Sequence, residues 1–367
     1  MAVAAELKKL NRQISVIYIG QKGDKLTDVP QNDANIDSTY EILAGKLRRY
    51  HGVGWRQVFD LKTQYQNLRD GFRVLGGIWQ SWRLLGKLRP DAVFTRGSFV
   101  SVPVALAARL RGIPYITHDS DSIPSLANRI IAPWAAKHAV ALPVEHYPYP
   151  IEKTIQVGVP ISSKYSPVGP KDMAAFRRQL GLSKYQWVVC VTGGGNGAKK
   201  LNDFVTANAA YLLERYPKMA LLHIAGRTLA DGVALQYDQL LPAKNRARVI
   251  VTDFVNNLYV YSGAADVVIA RGGATNLAEF AAQAKPCIII PSKQLIWNVK
   301  NSKMLAEEKA VLELSEDQAE QERRLAMLIV ELIDNEKLRN NLSNKFSQYA
   351  VSNSAKVIAK LILEIAA

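Results

Sequence analysis

Two glycine-rich stretches follow apolar runs and precede segments with helical spacing. They are Gly193-Gly194-Gly195-Asn196-Gly197 and Arg271-Gly272-Gly273-Ala274-Thr275. Glycine lets a ligand approach the backbone closely, and the free N–H groups at the start of a helix attract anions. Both stretches therefore predict phosphate binding. For the first stretch, a tight strand-to-helix turn without a ligand is an equally good interpretation.

Glu279 lies in the helix that the second stretch would open. Its carboxylate can accept hydrogen bonds from both hydroxyls of a ribose while the amides of the glycine pair hold a diphosphate. The alternative is a carboxylate that only stabilises the first turns of the helix. These residues alone leave both interpretations open.

Charge narrows the classes of partner. The chain has 367 residues, with 47 Lys and Arg against 32 Asp and Glu, which gives a formal net charge of +15. A basic protein is drawn to anions, and no zinc-finger spacing or aromatic RNA-binding signature favours nucleic acid. We expect a lipid or phosphate partner, no nucleic acid and, since the five histidines are scattered, no metal. We recognise no signal peptide and no apolar run of about 18 residues, which predicts a soluble or peripheral cytoplasmic protein.

Hydrophobic periodicity predicts alternating strands and helices, typical of α/β proteins with parallel sheets and helices on both faces. The predicted strands are Ile14–Gly20, Asp91–Thr95, Pro114–Asp119, His138–Leu142, Thr154–Val157, Gln186–Thr192, Ala220–Ala225, Arg248–Thr252, Val267–Ala270, Pro286–Pro291 and Ala310–Leu314. A Pro/Gly-rich stretch, Gly158–Pro170, interrupts the pattern. We expect doubly wound domains over residues 1–160 and 161–346, with a cleft between them, and a last helix over 347–367 that packs on the first domain.

Four segments in this order resemble the MurG family of peptidoglycan N-acetylglucosaminyltransferases: "RGSFVSVPVALAARLRGIP" (Arg96–Pro114), "HDSDSIPSLANRIIAP" (His118–Pro133), "VTGGGNGA" and "ARGGATNLAE". The resemblance spans nearly the whole chain. It implies the GT-B fold of two Rossmann-like domains. It also implies inverting, metal-independent transfer of N-acetylglucosamine (GlcNAc) from UDP-GlcNAc to undecaprenyl-diphospho-MurNAc-pentapeptide, with no cofactor, at the cytoplasmic face of the membrane.

The resemblance assigns roles to residues of both predicted domains. Donor binding falls to the stretches Gly193–Gly197 and Arg271–Thr275, with Glu279 on the ribose, Val255 at the uracil edge and Asn298 at the sugar. Acceptor binding falls to Gly97, Ser98, Phe99, Asp121 and Asn128.

The chain also departs from the family pattern. His118-Asp119-Ser120-Asp121 replaces H-E-Q-N, Gly195 replaces a serine, Asn298 a glutamine and Ser162 an arginine. These departures put the donor sugar and the details of the acceptor in doubt. In the family, a first strand and a G-G-T-G-G-H loop precede the helix that residues 1–7 resemble. The histidine of that loop is a candidate for the catalytic base. We expect translation to begin upstream of Met1; the alternative is a divergent form with an incomplete first domain. In the chain as given, His118 and Asp119 are the candidate catalytic bases.

The segment Phe72–Arg89 predicts a helix that lies on a membrane. Leu75, Ile78, Trp79, Trp82 and Leu85 recur at helical spacing among basic residues, with Lys46, Arg48 and Arg49 also near in sequence. Tryptophan and leucine on one stripe with basic flanks are typical of helices in the lipid interface. The alternative is an ordinary helix facing the core.

Two other functions remain open on the sequence alone. One is a UDP-sugar transferase of the same superfamily with a different acceptor. The other is a nucleotide-sugar binder without catalytic activity.

Overall fold

The computed structural model describes residues 1–24, 28–46 and 60–367. The chain forms two compact units: unit 1 comprises Met1–Ser162 with Ser352–Ala367, and unit 2 comprises Ser163–Val351.

Unit 1 contains parallel strands in two sheets. Its strands are β1 (Ile17–Gln21), β2 (Ser38–Ile42), β3 (Val93–Thr95), β4 (Tyr115–Asp119), β5 (Lys137–Val140) and β6 (Thr154–Gln156). Its helices before the boundary are α1 (Ala2–Leu10), α2 (Asp28–Gln31), α3 (Leu61–Leu88), α4 (Ser101–Leu110) and α5 (Leu126–Ile131). Within the described residues β1 pairs with β2, while β3, β4, β5 and β6 pair in that order.

Unit 2 is built on one six-stranded parallel sheet. Its strands are β7 (Trp187–Thr192), β8 (Met219–Ile224), β9 (Val249–Thr252), β10 (Val267–Ala270), β11 (Cys287–Ile289) and β12 (Leu312–Glu313). The spatial order is β12-β11-β10-β7-β8-β9. The chain thus runs outward from β7 to β9, returns to the other side of β7, and runs outward again.

Helices cover both faces of this sheet. They are α6 (Pro170–Gln179), α7 (Lys199–Arg215), α8 (Ala230–Leu240), α9 (Ala243–Arg246), α10 (Leu258–Ala264), α11 (Ala274–Ala282), α12 (Ile296–Glu307), α13 (Glu316–Ala319), α14 (Arg324–Asp334) and α15 (Glu336–Ser347). Alternate residues of β7 enter opposite cores. Val189 and Val191 pack with residues of α7 and α14, whereas Val188 and Cys190 pack with residues of α11. The continuous apolar sequence of β7 is what a strand buried on both faces requires.

The last helix, α16 (Ser354–Ala366), belongs to unit 1. Ala355, Ile358 and Ala359 form a core with Val3 and Leu7 of α1 and with strand residues of the four-stranded sheet. The opposite face of β4 places Tyr115 in a second core with residues of α4.

The predicted strands all occur, with bounds shifted by a few residues. β2 was missed. Its sequence, Ser-Thr-Tyr-Glu-Ile, is mostly polar, and only Ile42 is fully buried. A strand that covers little apolar surface carries no strong alternation for sequence analysis to detect.

A buried histidine connects three elements of unit 2. His223 of β8 has no exposed surface; its Nε2 donates to Asn202 Oδ1 (3.1 Å) and its Nδ1 accepts from the Tyr237 hydroxyl (2.8 Å). Asn202 in turn donates to the carbonyl oxygen of Ala225 (3.0 Å). Burial lowers the pKa of His223 to about 4, so the ring is neutral at pH 7 and both nitrogens are satisfied.

The depressed pKa predicts a specific acid sensitivity. Below pH 6.5 the unfolded chain protonates this histidine while the folded chain does not, so stability falls as the pH falls from 6.5 towards 4, by at most about 1.4 kcal/mol per pH unit. Denaturant unfolding at a series of pH values should show a shallower loss in His223→Gln than in the parent. Equal slopes in the parent and His223→Gln would contradict the assignment.

Candidate donor and acceptor sites

The reversal of strand order in unit 2 brings the two glycine-rich stretches together. β7 and β10 pair directly, with Thr192 opposite Ala270. Gly193–Gly197 leaves the carboxyl end of β7, and Arg271–Gly273 leaves the carboxyl end of β10. In doubly wound sheets the point where the strand order reverses is where ligands bind, because the two loops diverge to opposite faces.

The first loop needs glycine at its end. Gly197 has φ +76°, and a β-carbon there would overlap the carbonyl oxygen of Ala225. A β-carbon on Gly226 would in turn overlap the backbone of Gly197. The loop therefore packs backbone to backbone against the residues that follow β8, which fixes where α7 begins.

The second loop packs against α12. A β-carbon on Gly272 would overlap the carbonyl oxygen of Asn298, and Asn301 Nδ2 donates to the Gly272 carbonyl oxygen (3.0 Å). Gly273 is the N-cap of α11, with open space where a β-carbon would stand. Ala274 and Thr275 are the first residues of that helix, so their amides are among those without a helical acceptor. This arrangement can bind an anion.

Glu279 lies within α11 and is half-buried. Burial, together with the charge of Glu279 and a hydrogen bond to its carboxylate, raises the pKa of Tyr165. The Tyr165 hydroxyl therefore donates to Glu279. Tyr165 also packs edge-on against Tyr259, with ring centroids 6.1 Å apart. Sequence analysis missed Tyr165, which lies in the Pro/Gly-rich stretch and has no periodic partner.

The side chain of Arg271 is directed towards the protein. Its Nη1 lies 2.8 Å from Glu316 Oε1 and 2.9 Å from the carbonyl oxygen of Ile290, and only 12% of the side chain is exposed. Burial lowers the pKa of Arg271, and the charge of Glu316 opposes that shift. Of the stretch 271–275, the backbone rather than this guanidinium is available for a ligand.

Arg227 and Phe254 stack on Gly195 of the first loop, a contact that sequence analysis did not identify. The Phe254 ring lies against Gly195, where a β-carbon would be 3.4 Å from it, and the Arg227 guanidinium carbon lies 4.1 Å from the ring centroid. The neighbouring Val255 packs against the core of α11. Asn298 is 3% exposed.

In unit 1, a chain of hydrogen bonds runs through His118 at the end of β4. Arg96 Nη2 donates to Ser120 Oγ (2.9 Å), Ser120 Oγ lies 3.2 Å from His118 Nδ1, and His118 Nε2 donates to the Gly158 carbonyl oxygen (2.9 Å). His118 has no exposed surface. Burial, and the positive charge of Arg96, lower its pKa to about 3. In this conformation neither ring nitrogen is available to a substrate.

Asp119 is also engaged. Oδ2 accepts from the Tyr149 hydroxyl (2.6 Å) and Oδ1 from the amide of Ser125 (3.0 Å). The carboxyl group is buried, and burial raises its pKa against the opposing effect of these bonds. Tyr149 stacks on His138, with ring centroids 4.2 Å apart. Neither tyrosine of the Tyr147-Pro148-Tyr149 segment was predicted to take part.

Of the predicted acceptor residues, Gly97, Ser98, Phe99 and Asp121 lie in loops at the same edge of the sheet, and Asn128 lies in α5. Gly97 has φ +73°, and a β-carbon there would overlap Ser125 and Asn128. Asn128 is fully buried and donates to the carbonyl oxygen of His118 (2.9 Å). The Asp121 carbonyl oxygen accepts from the Tyr147 hydroxyl (3.0 Å), while Ser98 is exposed and Phe99 half-buried. Asn128 thus holds the loops together.

The buried face of α3 carries the smaller and more polar residues of the helix. Thr63, Asp70, Gly77, Ser81 and Leu85 are buried. Gly77 lies so close to the carbonyl oxygen of Leu43 that a β-carbon would overlap it. Small residues on the buried face let the helix approach this backbone closely.

An apolar stripe along α3 faces solvent. It consists of Tyr65, Leu68, Phe72, Leu75, Trp79 and Trp82, whose exposures run from 43% to 69%. Arg83 lies over the Trp79 ring and Arg111 over the Trp82 ring. Contiguous exposed apolar surface of this kind marks an interaction site.

The membrane prediction is therefore corrected at one residue. Leu85 is 2% exposed, because it packs against Ala105 and Ala108 of α4. Ile78 is half-buried, whereas Leu75, Trp79 and Trp82 are exposed as expected. Tyr65, Leu68 and Phe72 extend the stripe beyond the prediction. Arg48 and Arg49 lie outside the described residues.

No helix among the residues with described structure is long and apolar enough to cross a bilayer. Within those same residues no group of three or more His, Cys, Asp or Glu side chains is arranged to hold a metal ion.

Comparisons with known proteins identify the family of the chain. Residues 1–140 match the glycosyltransferase family 28 N-terminal domain, and residues 188–362 match the family 28 C-terminal domain. The chain is 32% identical to the UDP-N-acetylglucosamine--N-acetylmuramyl-(pentapeptide) pyrophosphoryl-undecaprenol N-acetylglucosamine transferase of Clostridium botulinum, over 99% of this chain and 93% of the relative. It is 33% identical to the transferase of the same name from Geobacillus kaustophilus, over 79% and 73% of the two chains.

Among solved structures, the fold resembles that of Acinetobacter baumannii MurG, with a TM-score of 0.66 at 20% identity over 99% of this chain and 94% of the other. The two Rossmann-like units with their parallel sheets are the GT-B architecture. With curated relatives that match almost end to end, the chain belongs to the MurG family of glycosyltransferases, within glycosyltransferase family 28, and is a UDP-sugar glycosyltransferase.

Proposed function

We propose that the protein transfers GlcNAc from UDP-GlcNAc to undecaprenyl-diphospho-MurNAc-pentapeptide, with inversion at the anomeric carbon. The observation that carries the proposal is the meeting of two glycine loops beside β7 and β10, with Glu279 in the helix that one of them opens. The names of the relatives supply the acceptor.

In the proposed donor complex, the amides of Gly272, Gly273, Ala274 and Thr275 hold the diphosphate, together with the loop Gly193–Gly197. Amides at a helix N-terminus stabilise the negative charge that grows on the departing UDP, so a metal ion is not needed for that task. Glu279 accepts hydrogen bonds from the ribose hydroxyls, the Val255 backbone meets the uracil, and Asn298 meets the sugar.

The acceptor would bind at the loops of unit 1, which contain Gly97, Ser98, Phe99 and Asp121. Of the two predicted bases, we favour Asp119 over His118. A pKa near 3 makes His118 a weak base, and its unprotonated Nδ1 faces Ser120 Oγ at 3.2 Å. The raised pKa of Asp119 makes its carboxylate a stronger base than usual.

The donor assignment predicts that Glu279→Ala weakens UDP binding by about 1–3 kcal/mol, because the ribose hydroxyls lose a charged acceptor. Isothermal titration with UDP measures the loss directly. Glu331→Ala, which removes an exposed carboxylate of α14, serves as the control and should bind like the parent. Unchanged affinity in folded Glu279→Ala would mean that the donor site lies elsewhere.

The base assignment predicts that Asp119→Asn lowers kcat by about 10²–10⁴ while UDP affinity stays at the parental value. Tyr149→Phe keeps the carboxylate and removes one of its donors, so its loss of kcat should be much smaller. Steady-state kinetics with a soluble lipid analogue as acceptor would decide. If Asp119→Asn retained kcat within threefold of the parent, Asp119 would not be the base.

We further propose that the apolar stripe of α3 binds an anionic membrane surface at its cytoplasmic face, where a polyprenyl-linked acceptor must be met. Three features support this: six apolar side chains that face solvent, arginines beside two of the rings, and the net charge of +15. A helix with an apolar stripe and basic flanks lies in the lipid interface.

The double change Trp79→Ala/Trp82→Ala should reduce binding to anionic vesicles by at least about tenfold, since each large apolar side chain contributes roughly 1.5–3 kcal/mol when buried. UDP affinity should not change, because both rings lie in unit 1 and the donor loops in unit 2. Leu235→Ala/Leu240→Ala removes exposed apolar side chains of α8 and should leave vesicle binding intact. Parental co-sedimentation of the tryptophan variant would refute the proposed membrane contact.

A further inference from the structure

One buried carboxylate lies behind both glycine loops of unit 2. Glu316, the first residue of α13, is 4% exposed, and the Ser315–Gln318 capping box fixes the start of its helix. One carboxylate oxygen lies 2.8 Å from Arg271 Nη1, and the other lies 3.4 Å from Lys200 Nζ. Separating a buried carboxylate from either of its cationic partners costs free energy, because it leaves a buried charge without compensation.

Its two partners come from different loops. Lys200 is the second residue of α7, immediately after the loop Gly193–Gly197, and Arg271 opens the loop that leads into α11. Glu316 therefore ties together the two helix N-termini that diverge from β7 and β10.

We infer that Glu316 is a positioning residue for the donor site, which sets the spacing of the two glycine loops before the nucleotide arrives. This rests on the proposed binding of a nucleoside diphosphate at those loops. By engaging Arg271 and Lys200, the carboxylate leaves the backbone amides as the groups that meet the diphosphate. It also keeps the loops from relaxing apart while the site is empty, which lowers the entropy that binding must remove.

The role differs from that of an ordinary structural ion pair. A purely structural pair would affect the unfolding temperature and leave ligand binding unchanged. A positioning residue changes the affinity for UDP and the KM for the UDP-sugar, while kcat at saturating donor is nearly unchanged, since Glu316 touches neither substrate nor the reacting atoms.

The test compares the 367-residue parent with Glu316→Gln, which keeps the shape of the side chain and removes the charge. We expect the Kd for UDP and the KM for UDP-GlcNAc to rise about tenfold, with kcat within twofold of the parent. Glu320→Gln is the matched control: Glu320 contacts Lys200 from the exposed side at 3.3 Å. Its Kd should stay within twofold of the parent.

A mutant cycle isolates the coupling. Lys200→Met should weaken UDP binding about threefold in the parent and have no further effect in Glu316→Gln, because the ion pair between Lys200 and Glu316 is already lost in that variant and only the exposed contact with Glu320 remains. If Glu316→Gln does not fold, Lys200→Met alone tests the inference, because Lys200 is exposed. Parental UDP affinity in Lys200→Met would overturn the inference. Parental Kd and KM in folded Glu316→Gln, or a fall in kcat alone, also overturn it.

The same titrations distinguish this inference from the proposed function. A parent protein that does not bind UDP overturns both. A parent that binds UDP, in which Glu279→Ala weakens binding and Glu316→Gln does not, refutes only the role of Glu316.

Discussion

Because β7 and β10 pair with each other while the chain continues from them towards opposite edges of the sheet, the loops that leave their carboxyl ends must separate at once. One loop turns into α7 and the other into α11, on different faces of the sheet. Gly197 packs against the backbone that follows β8, and Gly272 packs against the backbone of α12, which is why neither position tolerates a side chain. The proposed contacts to the diphosphate depend on this reversal of strand order.

The elements that create the reversal are the ones that the sequence reveals best. β7, β8 and β10 are buried on both faces, so their residues are almost all apolar, with Thr192 and His223 as the polar exceptions. A helix signal follows β7 and β10. Burial of this kind constrains every position of a strand. β2 is constrained at one position only, and its sequence accordingly shows no pattern.

The orientation of α3 shows a different limit of sequence analysis. Periodicity identifies a stripe but does not say whether the stripe faces the core or solvent. In α3 the buried face contains Asp70, Gly77 and Ser81, because close packing on the backbone near Leu43 requires small residues or polar partners there. The larger apolar residues of α3 therefore face solvent. Their exposure to water is unfavourable in free energy unless a partner surface covers them.

The polar contacts of both units were beyond sequence analysis for a common reason. Asp119 meets Tyr149, and Arg271 meets Glu316, through the fold rather than through local spacing. No periodicity marks such pairs, since their members occur at a strand end, in loops or at a helix start.

These contacts also show how a basic protein can bind anions with its backbone. In unit 2, Arg271 and Lys200 are directed to Glu316, and in unit 1, Arg96 is directed to Ser120. A flexible cation that the ligand must immobilise loses side-chain entropy on binding, whereas an amide at the start of a helix is already fixed. With the cations held by the protein, the loops present rigid donors to a phosphate. The charge of these cations still raises the local potential that attracts it.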